Sequence, residues 1–155
     1  RSTGVPLDPR QFSGPWRTRL VTVEGRRMSL DDIEHETMRP TFRDPRVHYA
    51  VNCASIGCPN LWPRAWRAAT LERELDAAAA AFVNHARGVT VLPDGRLRVS
   101  SIYSWFREDF GGNETGVIAH LRRHAAPALA ARLGDRITIA EDTYDWALND
   151  APPGA

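Results

Sequence analysis

Two cysteines, Cys53 and Cys58, are the side chains best suited to covalent chemistry in this sequence, and they are the only cysteines among its 155 residues. Two cysteines are too few to build a disulfide-stapled scaffold. At this spacing they can instead be a nucleophile with its neighbour, a single disulfide, or half of a metal site. A cysteine becomes nucleophilic as its thiolate, which a helix N-terminus or an imidazole partner favours by lowering the thiol pKa.

We predict Cys58 as the nucleophile. It follows the turn-forming residues 55–57 and precedes Pro59, a residue that is tolerated in the first turn of a helix. Its sulfur would then face open backbone N–H groups. Cys53 ends an apolar run and is predicted to be a small buried side chain, with the role of nucleophile as its alternative.

Two histidines and a glutamate complete the predicted catalytic group. His48 or His35 would be the general base, and Glu34 would orient the imidazole or contact the substrate. Glu34 and His35 are neighbours on a predicted helix and point about 100° apart, so only one of them faces a given site. The structural alternatives are a hydrogen-bonded core histidine for His48 and a solvated carboxylate for Glu34.

Composition excludes several other kinds of chemistry. All 20 basic side chains are arginine, so the chain has no lysine for a Schiff base or a phosphate-binding loop. With 19 acidic side chains the formal net charge is +1, which argues against nucleic-acid binding. Its longest apolar run, residues 77–83, is far shorter than the ~20 residues of a membrane span.

Metal motifs are incomplete. Residues 35–39 begin like a zinc-protease helix but place Arg39 where the second histidine would be, and His120 and His124 have no third ligand nearby in sequence. A zinc site built from the two cysteines and two histidines is the weakest alternative. We therefore predict neither a metal nor a cofactor.

The elements that must position these residues alternate irregularly between strand and helix. The predicted strands are 20–23, 47–53, 89–92, 96–99 and 136–139, and the predicted helices are 30–39, 70–86 and 114–126. Ser29 would cap the first helix, Pro40 would close it, and residues 47–53 would be a buried central strand. This pattern predicts an α+β fold with a mixed sheet and packed helices, in a single domain over residues 19–150. Residues 1–18 would be a loop or linker and residues 151–155 a disordered tail.

Four stretches carry a resemblance to a known family: residues 29–35 (SLDDIEH), 44–61 (DPRVHYAVNCASIGCPNL), 103–111 (YSWFREDFG) and 144–149 (YDWALN). Together they resemble the bacterial family catalogued as domain of unknown function 547, over about residues 20 to 149. This resemblance implies a papain-like or transglutaminase-like cysteine hydrolase arrangement and an exported, periplasmic or secreted protein. Members carry an upstream aromatic segment that does not precede residue 20 here, so we expect the chain to be the C-terminal portion of a longer precursor whose missing segment packs against the central strand.

The sequence thus predicts a thiol-dependent hydrolase or acyl transferase that acts on an amide or thioester, or by transamidation, in a peptide or small-molecule substrate. Trp62, Tyr103, Trp105 and Asp145 are the predicted substrate contacts. The alternative is a non-catalytic extracytoplasmic binding module in which Cys53 and Cys58 form a disulfide. In that module Trp66 would join the three aromatic residues just named in a groove for a peptide or glycan.

Overall fold

The computed structural model of the chain describes residues 16–150. The predicted tail at 151–155 and most of the predicted loop at 1–18 lie outside these residues. The described chain divides into two compact units, residues 16–44 and residues 45–150.

The first unit is a hairpin followed by a helix. Strands β1 (Val21–Val23) and β2 (Arg26–Met28) pair in antiparallel fashion across a turn in which Glu24 and Gly25 both have positive φ angles. Two positive φ angles are what a two-residue hairpin turn requires, because they match the twist of the paired strands. The predicted strand at 20–23 is confirmed.

Ser29 caps the helix of the first unit, as predicted. Its Oγ accepts the Asp32 N–H at 3.0 Å, and its own N–H donates to Asp32 Oδ2 at 2.9 Å. This reciprocal pairing satisfies two of the open donors at a helix start. The helix continues as a π-helix (Asp32–Met38) and then as α1 (Arg39–Phe42).

The prediction that Pro40 closes this helix is wrong. Pro40 stands in the first turn of α1, where a missing N–H removes no hydrogen bond from that segment. The helix ends instead at Arg43, which adopts a left-handed conformation with φ 49°.

The second unit holds the remaining helices and strands. They are a 3-10 helix (Pro45–Tyr49), α2 (Leu71–Val83), β3 (Val89–Val91), β4 (Leu97–Ser100), α3 (Ile102–Trp105), α4 (Glu114–His124), α5 (Pro127–Ala130) and β5 (Ile139–Thr143). The predicted long helices are confirmed, although α2 ends at Val83 rather than at residue 86. The predicted strands 89–92 and 96–99 are also confirmed, and they pair as an antiparallel hairpin. The last strand begins three residues later than predicted.

The predicted central strand at 47–53 is wrong. Its first part is the 3-10 helix, in which Val47, His48 and Tyr49 are all buried, and residues 51–53 have no regular structure. A short apolar run has the same appearance in a buried strand and in a buried helical turn, so its hydrophobicity does not separate the two. Pro45, whose φ already suits a helical turn, starts the segment.

The sheet of the second unit is mixed, which confirms the α+β class. Its order is β3-β4-β5, with β4 antiparallel to β3 and parallel to β5. The central strand is therefore β4, and its Leu97 and Val99 are buried. Helices α2 and α4 contact each other, and Phe82 and Leu121 from their inner faces join the same core.

Candidate functional site

The two cysteines bracket a short loop, residues 53–58, which we call the cysteine loop. The Asn52 side chain braces it: Oδ1 accepts the Ala54 N–H at 2.7 Å and Nδ2 donates to the Pro59 carbonyl at 2.7 Å. Ala54 itself has a φ of 62°, a left-handed conformation that is costly for any residue with a Cβ. The loop is thus held in a strained turn directly after Cys53.

A segment from the far end of the chain, residues 144–149, pairs with this loop. The Ile56 N–H donates to the Ala147 carbonyl at 2.8 Å, and the Gly57 N–H donates to the Asp145 carbonyl at 2.8 Å. A Cβ on Gly57 would lie 2.8 Å from the Asp145 backbone nitrogen, so only glycine allows this approach. Residues 144–149 thus pack against the cysteine loop, and they bring Tyr144 to the cysteines.

Arg87 holds the other side of the loop. Its Nη1 donates to the carbonyls of Ile56 at 2.9 Å and Cys58 at 3.0 Å, and its Nη2 donates to Asn60 Oδ1 at 2.6 Å. A guanidinium suits this task because it presents several donors in one rigid plane. Nothing in the sequence singled out Arg87 from the other arginines.

Donors surround the sulfur of Cys53. Ser55 Oγ and the Tyr144 hydroxyl each lie 3.1 Å from it and 2.7 Å from each other. Hydrogen bonds from the Cys58 thiol, the largest effect, and from these two hydroxyls lower the pKa of Cys53 to about 5, against the opposing effect of burial. Hydrogen bonds of this kind favour the charged form of the group that accepts them.

The pKa of Cys58 shifts in the opposite direction. It is buried, it donates to Cys53, and both that hydrogen bond and burial raise its pKa. The Cys53 N–H donates to Cys58 Sγ at 3.2 Å. Both cysteines are free, and the opposite directions of their pKa shifts favour the thiolate at Cys53 and the thiol at Cys58. This distribution of charge favours Cys53, the predicted alternative, over Cys58 as the nucleophile.

His48 forms a different pair. Its Nε2 lies 2.7 Å from Asp109 Oδ2, and its buried ring stacks on Phe106 at a centroid distance of 4.2 Å. Within residues 16–150, the side chains hydrogen-bonded to the two sulfurs are Ser55, Tyr144 and the cysteines themselves, with no imidazole among them. The structure therefore brings His48 to Asp109, a partner that sequence reasoning did not identify.

Glu34 and His35 lie in the first unit, whereas the cysteines lie in the second. His35 Nδ1 is 3.9 Å from Glu34 Oε1 and 3.3 Å from an Arg39 Nη1. Their predicted catalytic roles stay predictions.

The four predicted substrate contacts fall in different places. Trp105 packs against Tyr144, and Asp145 is exposed beside Gly57, so these two adjoin the cysteine loop. Trp62 stacks on Trp66 at 5.0 Å. Tyr103 is 1% exposed in the core, and its hydroxyl lies 3.2 Å from that of Tyr49.

Two further features bear on partners. Within residues 16–150, no three or more His, Cys, Asp or Glu side chains are grouped so that they could hold a metal ion. Over the same residues, no helix has both the length and the apolar character that crossing a membrane requires.

Comparison with known proteins gives one result. The model of the family described as "Protein of unknown function, DUF547" matches residues 8–83, a stretch that contains the cysteine loop. No curated protein and no solved structure matches the chain significantly. Residues 103–111 and 144–149, which also carry the resemblance, lie outside the matched stretch. The predicted resemblance to DUF547 is thus confirmed over residues 8–83, just under half of the chain.

Proposed function

We propose that the chain is a thiol-dependent hydrolase or acyl transferase in which Cys53 is the nucleophile. The observation that carries the proposal is the ring of donors around Cys53 Sγ, formed by Cys58, Ser55 and Tyr144. These donors keep the sulfur ionised at neutral pH, so the nucleophile needs no separate base to remove its proton.

In the proposed reaction the Cys53 thiolate attacks the carbonyl carbon of the substrate and expels the leaving group, which forms an S-acyl intermediate on Cys53. Water then releases the acid, or an amine accepts the acyl group and loses a proton. Tyr144 can support both steps as a hydrogen-bond donor, since burial, together with its bond to Cys53, raises its pKa and keeps its hydroxyl protonated.

The environment of the sulfur favours thioesters over amides as substrates. A thiolate leaves without being protonated, whereas an amine requires a general acid to protonate it as it leaves. His48 Nε2, on the 3-10 helix of the second unit, lies 2.7 Å from Asp109 Oδ2. The hydrogen bonds to Cys53 Sγ come instead from Cys58, Ser55 and Tyr144. The exported location implied by the family resemblance belongs to the same proposal. The papain-like arrangement is not part of it, because the groups bonded to Cys53 Sγ are a thiol and two hydroxyls rather than an imidazole.

Two observations favour the alternative, a non-catalytic binding module. The two sulfurs share a hydrogen bond, so oxidation would join them without a large movement of the loop. The side chains of Trp105, Tyr144 and Trp146 stack beside the loop and would supply an aromatic surface for a peptide or glycan.

An acyl-trapping experiment tests the proposal. Reduced protein is incubated at pH 6 with a small aryl thioester, and the acylated residue is located by mass spectrometry of peptides. We expect acylation of Cys53 in the wild type and in Cys58→Ser, where serine retains a hydrogen-bond donor, and none in Cys53→Ser. The matching anilide should acylate Cys53 far more slowly.

Acylation of Cys58, or no acylation of reduced, folded wild-type protein, would contradict the proposal. Far-UV circular dichroism of both serine variants shows whether a negative result reflects lost chemistry or a lost fold. If neither cysteine is acylated and the isolated protein already contains the disulfide, the binding module becomes the better account.

A further inference from the structure

The cysteine loop places two thiols of opposite character in contact. Cys53 is partly exposed and surrounded by donors, whereas Cys58 is 5% exposed and lies behind it. A reagent from solution therefore reaches Cys53 first. Acyl transfer uses only one of these sulfurs and leaves Cys58 without a chemical step of its own.

We propose that Cys53 and Cys58 act as a dithiol pair that reduces disulfide substrates, with Cys53 as the attacking sulfur and Cys58 as the resolving sulfur. This activity goes beyond the proposed acyl transfer, with which it shares the nucleophile. The geometric basis is the short loop that places Cys58 Sγ 3.2 Å from the backbone nitrogen of Cys53, with the Cys53 side chain partly exposed and the Cys58 side chain buried.

The reaction balances in two exchange steps. The Cys53 thiolate attacks one sulfur of a substrate disulfide, forms a mixed disulfide with it and releases the other half as a thiolate. Cys58 then loses its proton, which the released thiolate takes up, and attacks Cys53 Sγ. That attack releases the second half as a thiolate and leaves Cys53 and Cys58 joined, so the substrate gains the two electrons that the cysteines lose.

The first step prepares Cys58 for the second. The chief cause of the raised Cys58 pKa is its hydrogen bond to the Cys53 sulfur, and the negative charge of that sulfur adds to it. Both effects vanish when Cys53 becomes part of a neutral mixed disulfide. The Cys53 N–H, which donates to Cys58 Sγ at 3.2 Å, then remains and stabilises the Cys58 thiolate.

Mass-resolved reaction with glutathione disulfide at pH 6 tests this pair. We expect wild-type protein to release two glutathiones per chain and to end as an intramolecular disulfide. The Cys58→Ser variant should instead stop at one stable glutathione adduct on Cys53, and Cys53→Ser should not react. A second arm with insulin as the substrate, in the presence of dithiothreitol, distinguishes protein disulfides from small ones.

The rate gives an independent check. Because a lower pKa raises the thiolate fraction but weakens each thiolate as a nucleophile, we expect folded Cys53 to react about tenfold faster at pH 6 than the same protein unfolded in urea. A stable Cys53 adduct in the wild type with Cys58 still free, or a first adduct on Cys58, would overturn the proposal. Acylation of Cys53 by a thioester needs no resolving sulfur. A stable Cys53 adduct would therefore overturn the dithiol pair and leave the acyl transfer intact, and the acyl-trapping experiment tests that transfer separately.

Discussion

The sulfur of Cys53 accepts hydrogen bonds from groups that are far apart in sequence. Ser55 is two residues away, whereas Tyr144 is 91 residues away. A thiolate stabilised by these bonds stays abundant at low pH. Because the bonds occupy some of its lone pairs, each thiolate is a weaker nucleophile. The reactivity of Cys53 therefore exceeds that of an ordinary thiol most at low pH. Each donor should therefore affect both the pKa and the reactivity of Cys53.

Tyr144→Phe removes one donor and keeps the ring. Since a hydrogen bond to a charged group contributes about 1.5–3 kcal/mol, we expect the pKa of Cys53 to rise by about 1 to 2 units. The pH dependence of iodoacetamide alkylation, resolved by residue, measures the change. Thr143→Val removes an exposed hydroxyl from the neighbouring residue and should leave the pKa unchanged. If the pKa of Cys53 is the same in the two variants, Tyr144 does not act on the thiol through its hydroxyl.

The sequence identified the cysteine loop but not the roles within it. Residue types near Cys58 predicted an open helix start, whereas the charge on the pair is decided by contacts of Cys53 with distant residues. The same is true of His48, whose partner Asp109 is 61 residues away. Local spacing carries no information about such contacts, because they exist only once the chain has folded.

At the scale of elements, the site depends on the pairing of the cysteine loop with residues 144–149. This pairing consists of backbone hydrogen bonds at Ala54, Ile56 and Gly57, together with an isolated bridge between Ser55 and Leu148. Neither segment is a regular strand. A search of the sequence for strand patterns therefore cannot reveal this pairing. The hairpin of β3 and β4, in contrast, was predictable from its own turn residues, Pro93, Asp94 and Gly95.

Gly57→Ala tests this pairing. The added Cβ would meet the backbone of Asp145 at 2.8 Å and the Tyr144 ring at 3.0 Å, and backbone atoms on both segments must shift to admit it. We expect the free energy of unfolding to fall by about 1–3 kcal/mol. Because Tyr144 moves away from the sulfur, the pKa of Cys53 should also rise.

Gly134→Ala is the matched control, because a Cβ there meets nothing within 4 Å. Urea titration and residue-resolved alkylation of both variants measure the two effects. Loss of stability in Gly57→Ala with an unchanged Cys53 pKa would mean that the segment pairing supports the fold without setting the chemistry of the thiol.

At the scale of the whole molecule, the ionisation of the two thiols in the cysteine loop makes the free energy of unfolding depend on pH. Folding moves the pKa of Cys53 from 9.0 to about 5 and moves that of Cys58 upward. The stabilisation due to Cys53 is complete above pH 9 and is lost as the pH falls to about 5. The stabilisation due to Cys58 is complete below its ordinary pKa and is lost above it, so the combined contribution is largest near pH 9.

Urea unfolding of reduced wild-type protein and Cys53→Ser from pH 5 to pH 8 measures this linkage. The other titrating groups are common to both proteins and cancel in the difference. We expect the wild type to gain stability relative to Cys53→Ser as the pH rises, because only the unfolded wild type must bind the additional proton. A difference that is constant over this range would mean that folding leaves the Cys53 thiol unchanged.

The position of Tyr144 in the chain also has a consequence for biosynthesis. A ribosome that has just completed the cysteine loop must add most of the remaining sequence before the tyrosine that joins the Cys53 cluster exists. Until then the nascent chain lacks one donor and the backbone pairing that holds the loop against residues 144–149. The thiol thus reaches its full acidity only after the chain has been translated past residue 144 and has folded, and an incomplete product carries a less reactive cysteine.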